Sequence, residues 1–311
     1  MKIAVMGSGA VGGYFGARLA QTGEDVTFVA RGRRLAAIRE RGISIASPRG
    51  DLRLERVRAT DDTSTIGPVD VVLFTVKLWS TEEAARQLPP LLGPDTAVMS
   101  LQNGVEATDV IARTVGREHL MGGACYIAAA LDHAGAVQHG GRMARLVFGE
   151  SGGRKTRRAE ALLQACARAS AAFDAELSPD IDRVIWEKFV FIVGLSAMTA
   201  LTRRTIGPVR SDPDTRAMLL DVMREAVAVG RAKGIDLPAD FADQRLAFVD
   251  TLPDTMTSSM HHDLERGNRL EVGWLSGAVA RLGREVGVAT PANRAVHAAL
   301  KLHADGAARG S

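Results

Sequence analysis

The stretch Gly7-Ser8-Gly9-Ala10-Val11-Gly12 has the residue types and spacing that a dinucleotide requires. The first glycine suits a tight turn out of a strand. The second lets the backbone approach a pyrophosphate with no Cβ in the way, and the third lets the next helix pack close to its sheet. The helix start then presents unpaired N–H groups to phosphate charge. The signature is informative where it follows a strand and opens a helix. Here the apolar run 3–6 precedes it and a helical pattern over 11–21 follows. Arg31 ends the next apolar run, where a carboxylate would accept hydrogen bonds from the ribose 2′-hydroxyl of NAD. A guanidinium at that place grips a 2′-phosphate instead, so NADPH is the expected cofactor. Arg33 and Arg34 read as a solvated helix start.

Further candidates lie downstream. Lys77 and Asn103 each follow an apolar strand pattern, and so emerge at the carboxyl edge of the expected sheet, where open α/β folds bind ligands. Asn103 is placed to orient a nicotinamide or a substrate, or is an exposed loop residue. Lys188 stands among Val184, Ile185, Trp186, Phe189, Val190 and Phe191. A lysine in such surroundings pairs, faces a cavity, or extends its ammonium to the surface. Glu271 near a helix start suits either a partner for Lys188 or the nicotinamide ribose, or interaction with the helix terminus. Ser258 and Ser259 suit a substrate carboxylate or a helix cap. His261 and His262 are adjacent on a helix, so their side chains diverge and no metal site is expected.

Strand and helix patterns alternate to position these residues. Strands are predicted at 3–6, 26–30, 69–76 and 97–101, with helices at 11–21, 33–41 and 81–92. The run 69–76 has no polar face, as in a strand buried on both sides of a parallel sheet. Repeated β-α-β order predicts a Rossmann-type α/β domain. Two short strands, 136–138 and 145–148, are expected to join through Gly140-Gly141, followed by a helix at 157–172. From residue 180 onward the pattern is all-helical: 181–200, 215–233, 240–251, 270–286 and 291–303. The expected domains are therefore 1–178, which binds the cofactor, and 179–311, which supplies substrate and catalytic residues.

Composition narrows the class. With 39 basic and 36 acidic side chains the net charge is +3, too balanced to argue for nucleic acid. Two isolated cysteines fit a reducing cytoplasm better than a disulfide framework. No uninterrupted apolar run reaches the roughly 18 residues of a membrane helix, so no membrane partner is expected. The apolar stretch 278–282 suits a homodimer interface or an internal core equally well.

Residues 1–16, Thr75-Val76-Lys77 and Leu101-Gln102-Asn103-Gly104-Val105 together resemble the ketopantoate reductase family. Trp186-Glu187-Lys188, Gly207-Pro208-Val209-Arg210 and Ser258-Ser259-Met260, continued by Asp263 and Glu271, extend the resemblance over nearly the whole chain. It implies a Rossmann domain followed by a helical domain, with the active site in the cleft between them, and NADPH-dependent reduction of ketopantoate to pantoate. It implies Lys188 as the catalytic acid, Glu271 and Ser259 in the site, Asn103 as the active-site asparagine, and Lys77 as a cofactor contact. The chain departs from the family pattern at four asparagine positions, which are Ile192, Ser196, Ile206 and Met256 here. Buried amides of this kind discriminate strongly between substrates. A different, more apolar 2-keto acid is therefore the alternative substrate, and a non-catalytic NADPH-binding regulator is the alternative class.

Overall fold

The structure, a computed structural model, describes residues 1–307; residues 308–311, the end of the expected second domain, lie outside the described residues. The chain forms two compact units, Met1–Gln102 with Ala107–Val184, and Asn103–Glu106 with Ile185–Ser311.

The first unit runs β1 (Lys2–Met6), α1 (Ala10–Gln21), β2 (Asp25–Val29), α2 (Gly32–Arg41), β3 (Ile43–Ala46), β4 (Leu52–Leu54), β5 (Arg58–Thr60), β6 (Val71–Phe74), α3 (Thr81–Ala85), β7 (Ala97–Ser100), α4 (Ala107–Val115), β8 (Leu120–Leu131), β9 (Val137–Gly149), α5 (Arg157–Arg168) and β10 (Asp174–Leu177). Strands β5-β2-β1-β6-β7-β8 lie side by side and parallel, in the order of a doubly wound nucleotide-binding sheet. Sequential strands alternate their side chains between two cores: Ile3 and Val5 enter one, Ala4 and Met6 the other. This double burial is why the strands carry no polar face. The order reverses between β1 and β6, so the loops after these strands form the switch point where such sheets bind ligands.

Several local expectations are corrected. The strand at 69–76 is confined to Val71–Phe74, because Thr75 turns its hydroxyl onto the Gly7 carbonyl at 2.5 Å and the chain leaves the sheet. The helix at 81–92 stops at Ala85, ahead of Pro89 and Pro90, which lack the amide a helix needs. Gly140-Gly141 is not a hairpin turn. β9 runs through it, antiparallel to β8, with a bulge where the partner register shifts between Ile127 and Ala128. The turn is at 132–136, where the Asp132 carboxylate accepts the Ala136 amide at 2.8 Å and Gly135 takes φ +84°. Strand β8, rich in glycine and alanine, has little intrinsic strand signal.

The second unit takes most of α6 (Ile181–Thr202), then α7 (Ile206–Ser211), α8 (Pro213–Ala232), α9 (Phe241–Asp250), α10 (Ser259–Glu265), α11 (Ser276–Val286) and α12 (Pro291–Leu300). No strand follows Leu177 among the described residues. Asp212 caps α8 by accepting from the amides of Asp214 and Thr215, with Pro213 in the first turn. The helix expected at 270–286 starts at Ser276, after a 3-10 turn over Val272–Trp274. By length and composition α6 could cross a membrane, contrary to the expectation of no such segment. Its Val190, Val193, Ala197, Met198 and Ala200 are nevertheless fully buried in the core of this unit, which is the position of a central helix. Ala278, Val279 and Leu282 of the 278–282 stretch also enter that core. Both cysteines are buried, and burial pushes the Cys166 thiol up to about 12, which keeps it from acting as a thiolate.

One buried ion pair gives the first unit a pH dependence. Glu150, 1% exposed, takes Arg158 through two hydrogen bonds of 2.7 and 2.8 Å and Thr156 through a third. Burial opposes its ionisation, but the bonds from Arg158 and Thr156 prevail and hold its pKa below the ordinary value. A depressed carboxylate contributes stability that is complete above its unfolded pKa, about 4.3, and lost as pH falls through the folded value. Thermal unfolding from pH 7 to 3 is expected to show this loss, and Glu150→Gln to remove that part of it.

Candidate functional site

In the first unit the fingerprint turn leaves β1 and enters α1. Gly7 has φ +99°, and a Cβ there would lie 2.7 Å from the Val76 amide nitrogen, so the turn and the chain after β6 are in contact. At Gly12 a Cβ would lie 2.4 Å from both the Gly7 oxygen and the Thr75 hydroxyl. Gly9 differs. Its φ is −74°, and a Cβ would meet nothing within 4 Å. Neither backbone nor internal packing demands a glycine at that place; the open space above it is what a pyrophosphate would fill. No side chain caps α1, so the first amides of the helix remain available to an anion. Ser8 is buried, its hydroxyl donating to the Val29 carbonyl at 3.1 Å and tying the turn to β2. The residues present thus fit a dinucleotide.

Arg31 precedes α2 and is ion-paired with Glu83, both half exposed. Such a pair is worth at most about 1 kcal/mol, so the guanidinium is exchangeable. Arg33 is exposed as expected. Arg34 is not a solvated residue: its Nε donates to the Ser8 carbonyl at 2.7 Å and its Nη1 to Gly135 at 2.5 Å. Lys77 is exposed, with its ammonium 5.6 Å from the centre of the Trp79 ring. Gln102 donates to the Val76 carbonyl at 2.9 Å and the Thr81 hydroxyl at 2.8 Å, which binds the end of β7 to the segment bearing Lys77. Glu83, Arg34 and Gln102 were not singled out as functional from the sequence, since each acts on a partner far along the chain.

In the second unit Lys188 is half-buried on α6, and its Nζ donates to the Asn103 Oδ1 at 3.1 Å. Lys188, Ile192 and Ser196 stand four residues apart and so share one stripe of the helix. The Asn103 loop is anchored by Glu106, whose carboxylate receives Arg281 through Nε at 3.0 Å and through Nη2. This contact raises the Arg281 pKa. Arg281 also lies 3.5 Å from the Gly273 carbonyl, in the turn that follows the buried Glu271. Ser258, expected as a carboxylate contact or a cap, is a cap. Its hydroxyl accepts from the His261 amide at 3.1 Å. It also meets the Thr199 hydroxyl at 2.8 Å, and Thr199 donates its own proton to Leu195. The one proton of Ser258 is thus committed. Ser259 beside it is exposed.

His261, His262 and Glu265 bring ligand atoms within 4.8 Å of one another, closer than divergence along a helix predicts. Both rings already have partners: His261 Nδ1 faces the Thr199 carbonyl at 2.7 Å, and His262 Nε2 the Thr257 hydroxyl at 2.8 Å. Of the four altered asparagine positions, Ile206 is fully buried, and Ile192 and Met256 pack against the same core. The Ile206 amide donates to the Met256 carbonyl at 2.8 Å, so these two are neighbours. Ser196 is buried.

Comparison with known proteins gives concordant results. The family model "Ketopantoate reductase PanE/ApbA" matches residues 3–153, and the model of its C-terminal part matches residues 180–304. A 2-dehydropantoate 2-reductase of Mesorhizobium japonicum is 32% identical over 323 residues, covering 97% of each chain. An uncharacterized oxidoreductase of Bacillus subtilis is 30% identical over 306 residues, covering 97% of this chain and 99% of the relative. Among solved structures, a PanE/ApbA family ketopantoate reductase from Ralstonia eutropha superposes with a TM-score of 0.87 at 34% identity, covering 97% of this chain and 98% of that one. The Rossmann-type sheet unit, the helical unit and the spaced motifs within them are thus those of one family, and this chain belongs to the ketopantoate reductases.

Proposed function

We propose that the protein is an NADPH-dependent reductase that converts a 2-keto acid to the 2-hydroxy acid, with ketopantoate to pantoate as the leading reaction. Segment 1–178 binds the cofactor, and segment 179–311 supplies the substrate and acid groups. The observation that carries this reading is the half-buried Lys188 held by Asn103 at 3.1 Å. The turn over Gly7, Ser8, Gly9, Ala10, Val11 and Gly12 receives the pyrophosphate through amides that follow Gly7, whose own amide donates to the Val29 carbonyl at 3.1 Å. Arg31 receives the 2′-phosphate, and Lys77 and Asn103 the nicotinamide side. Bound NADPH supplies the hydride. As the ketone carbon becomes tetrahedral, its π electron pair moves onto oxygen, and the Lys188 ammonium donates a proton to that oxygen. The lysine, now neutral, regains a proton from solvent. Asn103 accepts one N–H of Lys188 and so aims the others. Glu271 positions Lys188 or the nicotinamide ribose, Ser259 donates to the substrate carboxylate, and Ser196 lines the same stripe as the acid. The reaction needs no metal, and its setting is the cytoplasm.

NADPH oxidation against a panel of 2-keto acids tests the proposal. Ketopantoate is expected to accelerate it, and NADPH binding without acceleration by any keto acid would make the protein a regulator instead. Ile192, Ile206 and Met256 favour a second reading, a more apolar 2-keto acid. On that reading, acids with larger apolar side chains exceed ketopantoate in kcat/KM.

The ion pair of Arg31 makes a two-signed prediction. Arg31→Ala removes charge-assisted bonds and is expected to raise the Kd of NADPH about 10- to 100-fold, with NADH changed little. Glu83→Gln removes the competing carboxylate and is expected to tighten NADPH a few-fold. Titration of both variants with both nucleotides checks this, and equal losses for NADPH and NADH in Arg31→Ala would remove the 2′-phosphate role.

A further inference from the structure

Arg34 carries an observation that the cofactor contacts above do not use. It lies in the first turn of α2, and its guanidinium spans two separate segments: Nε donates to the Ser8 carbonyl at 2.7 Å, and Nη1 donates to the Gly135 carbonyl at 2.5 Å. The first acceptor belongs to the glycine turn and the second to the turn joining β8 and β9. Nη2 is buried with no hydrogen-bond partner. Burial also lowers the Arg34 pKa, although an arginine keeps its charge. An unpaired buried nitrogen is costly and calls for a compensating role.

The role follows from peptide geometry. The peptide between Ser8 and Gly9 is trans, as are the others among the described residues. In a trans peptide the carbonyl and the following amide point in opposite directions. With the Ser8 oxygen drawn onto Arg34, the Gly9 amide faces away from it. Gly9 is also the residue whose missing Cβ leaves open space. Glycine permits backbone conformations closed to other residues, so without a restraint this peptide can turn over. The Ser8 oxygen would then exchange places with the amide and set partial negative charge against the pyrophosphate.

We propose that Arg34 is a positioning residue for the cofactor: it locks the Ser8–Gly9 peptide so that the turn offers amides, and no carbonyl oxygen, to the pyrophosphate. This rests on the dinucleotide reading of the first unit. It differs from the role of Arg31, because the pyrophosphate is common to both nicotinamide cofactors.

The test is titration of the full-length wild type, Arg34→Met and Arg34→Lys with NADPH and with NADH, alongside apo-protein unfolding and turnover at saturating NADPH. Arg34→Met is expected to raise both Kd values by the same factor, about 10- to 100-fold, and to leave saturated kcat within about threefold of wild type. Arg34→Lys keeps one donor for Ser8 and is expected to show a smaller loss, again equal for the two cofactors. A loss confined to NADPH would make Arg34 a second 2′-phosphate contact and overturn the proposal. Unchanged Kd values beside a lowered Tm would overturn it too, leaving Arg34 a structural residue. If Arg34→Met does not fold, the equality or inequality of the Arg34→Lys losses decides. Failure of the wild type to bind either cofactor would overturn the dinucleotide reading itself, and is seen before any variant is compared.

Discussion

Lys188→Ala is expected to lower kcat about a hundred- to ten-thousand-fold, the usual range for loss of a general acid, while the Kd of NADPH changes little. Hydride addition leaves an alkoxide, and a proton must arrive as that charge develops. In the proposed mechanism that proton comes from Lys188, which donates to Asn103 at 3.1 Å on a helix whose neighbouring residues Phe189 and Val190 are buried. Lys188→Arg keeps the charge, but a guanidinium parts with its proton far less readily than an ammonium. It is therefore expected to restore little turnover, although it can still bind the substrate carbonyl. Asn103→Ala leaves the acid in place but unaimed, so its loss should be smaller and fall on kcat. Stopped-flow measurement of NADPH oxidation with saturating keto acid checks the series. Wild-type turnover in Lys188→Ala would remove the acid from the mechanism and leave the reaction class untouched.

The second large effect concerns the glycine turn. In Gly12→Ala the new Cβ would lie 2.4 Å from the Gly7 oxygen, 2.4 Å from the Thr75 hydroxyl and 2.8 Å from Val5. A backbone oxygen on the turn itself cannot yield as the end of a long side chain can. The hydrogen bond from Thr75 to Gly7, which holds the turn against the chain leaving β6, must lengthen or break. Overpacking of this kind costs about 1–3 kcal/mol, which lowers Tm by several degrees in a chain of this size. NADPH affinity is expected to fall more than about a hundredfold, because the displaced helix start no longer meets the phosphate. Gly9→Ala is the control. Its Cβ has open space and the backbone is ordinary, so Tm should be retained while NADPH affinity falls. Calorimetry and nucleotide titration of the two variants separate the glycine the fold needs from the glycine the ligand needs. Equal Tm losses in both would remove that distinction.

Much of the site was legible in the sequence where a residue's role depends on its immediate neighbours. The turn at Gly7 and Gly12, a helix after it, expected over 11–21 and observed from Ala10, and a buried strand within 69–76, observed as Val71–Phe74, follow from backbone freedom and side-chain periodicity. Lys188 announced itself by standing in an apolar helix. Local signals misled where two structures share one signature. Gly140-Gly141 fits a hairpin turn as well as a bulge, and only the pairing of β9 with β8 on both sides of it, Val137–Gly140 and Ala144–Gly149, decides for the bulge.

By itself, then, the sequence determined a Rossmann-type unit followed by a helical one, a glycine-rich turn between strand and helix, a basic residue after the second strand, and a lysine in an apolar helix. Tertiary structure decided which groups act on these. It set Glu83 against Arg31 across 52 positions, Arg34 against Ser8 across 26, and Asn103 against Lys188 across 85. It also turned Ser258 into a cap and drew Ile192, Ile206 and Met256 toward one core. The physical reason is range. Turn chemistry and helical or strand periodicity are energies of a few adjacent residues. The partner of a carboxylate or an ammonium is set by the path of the whole chain, which brings distant residues within 3 Å.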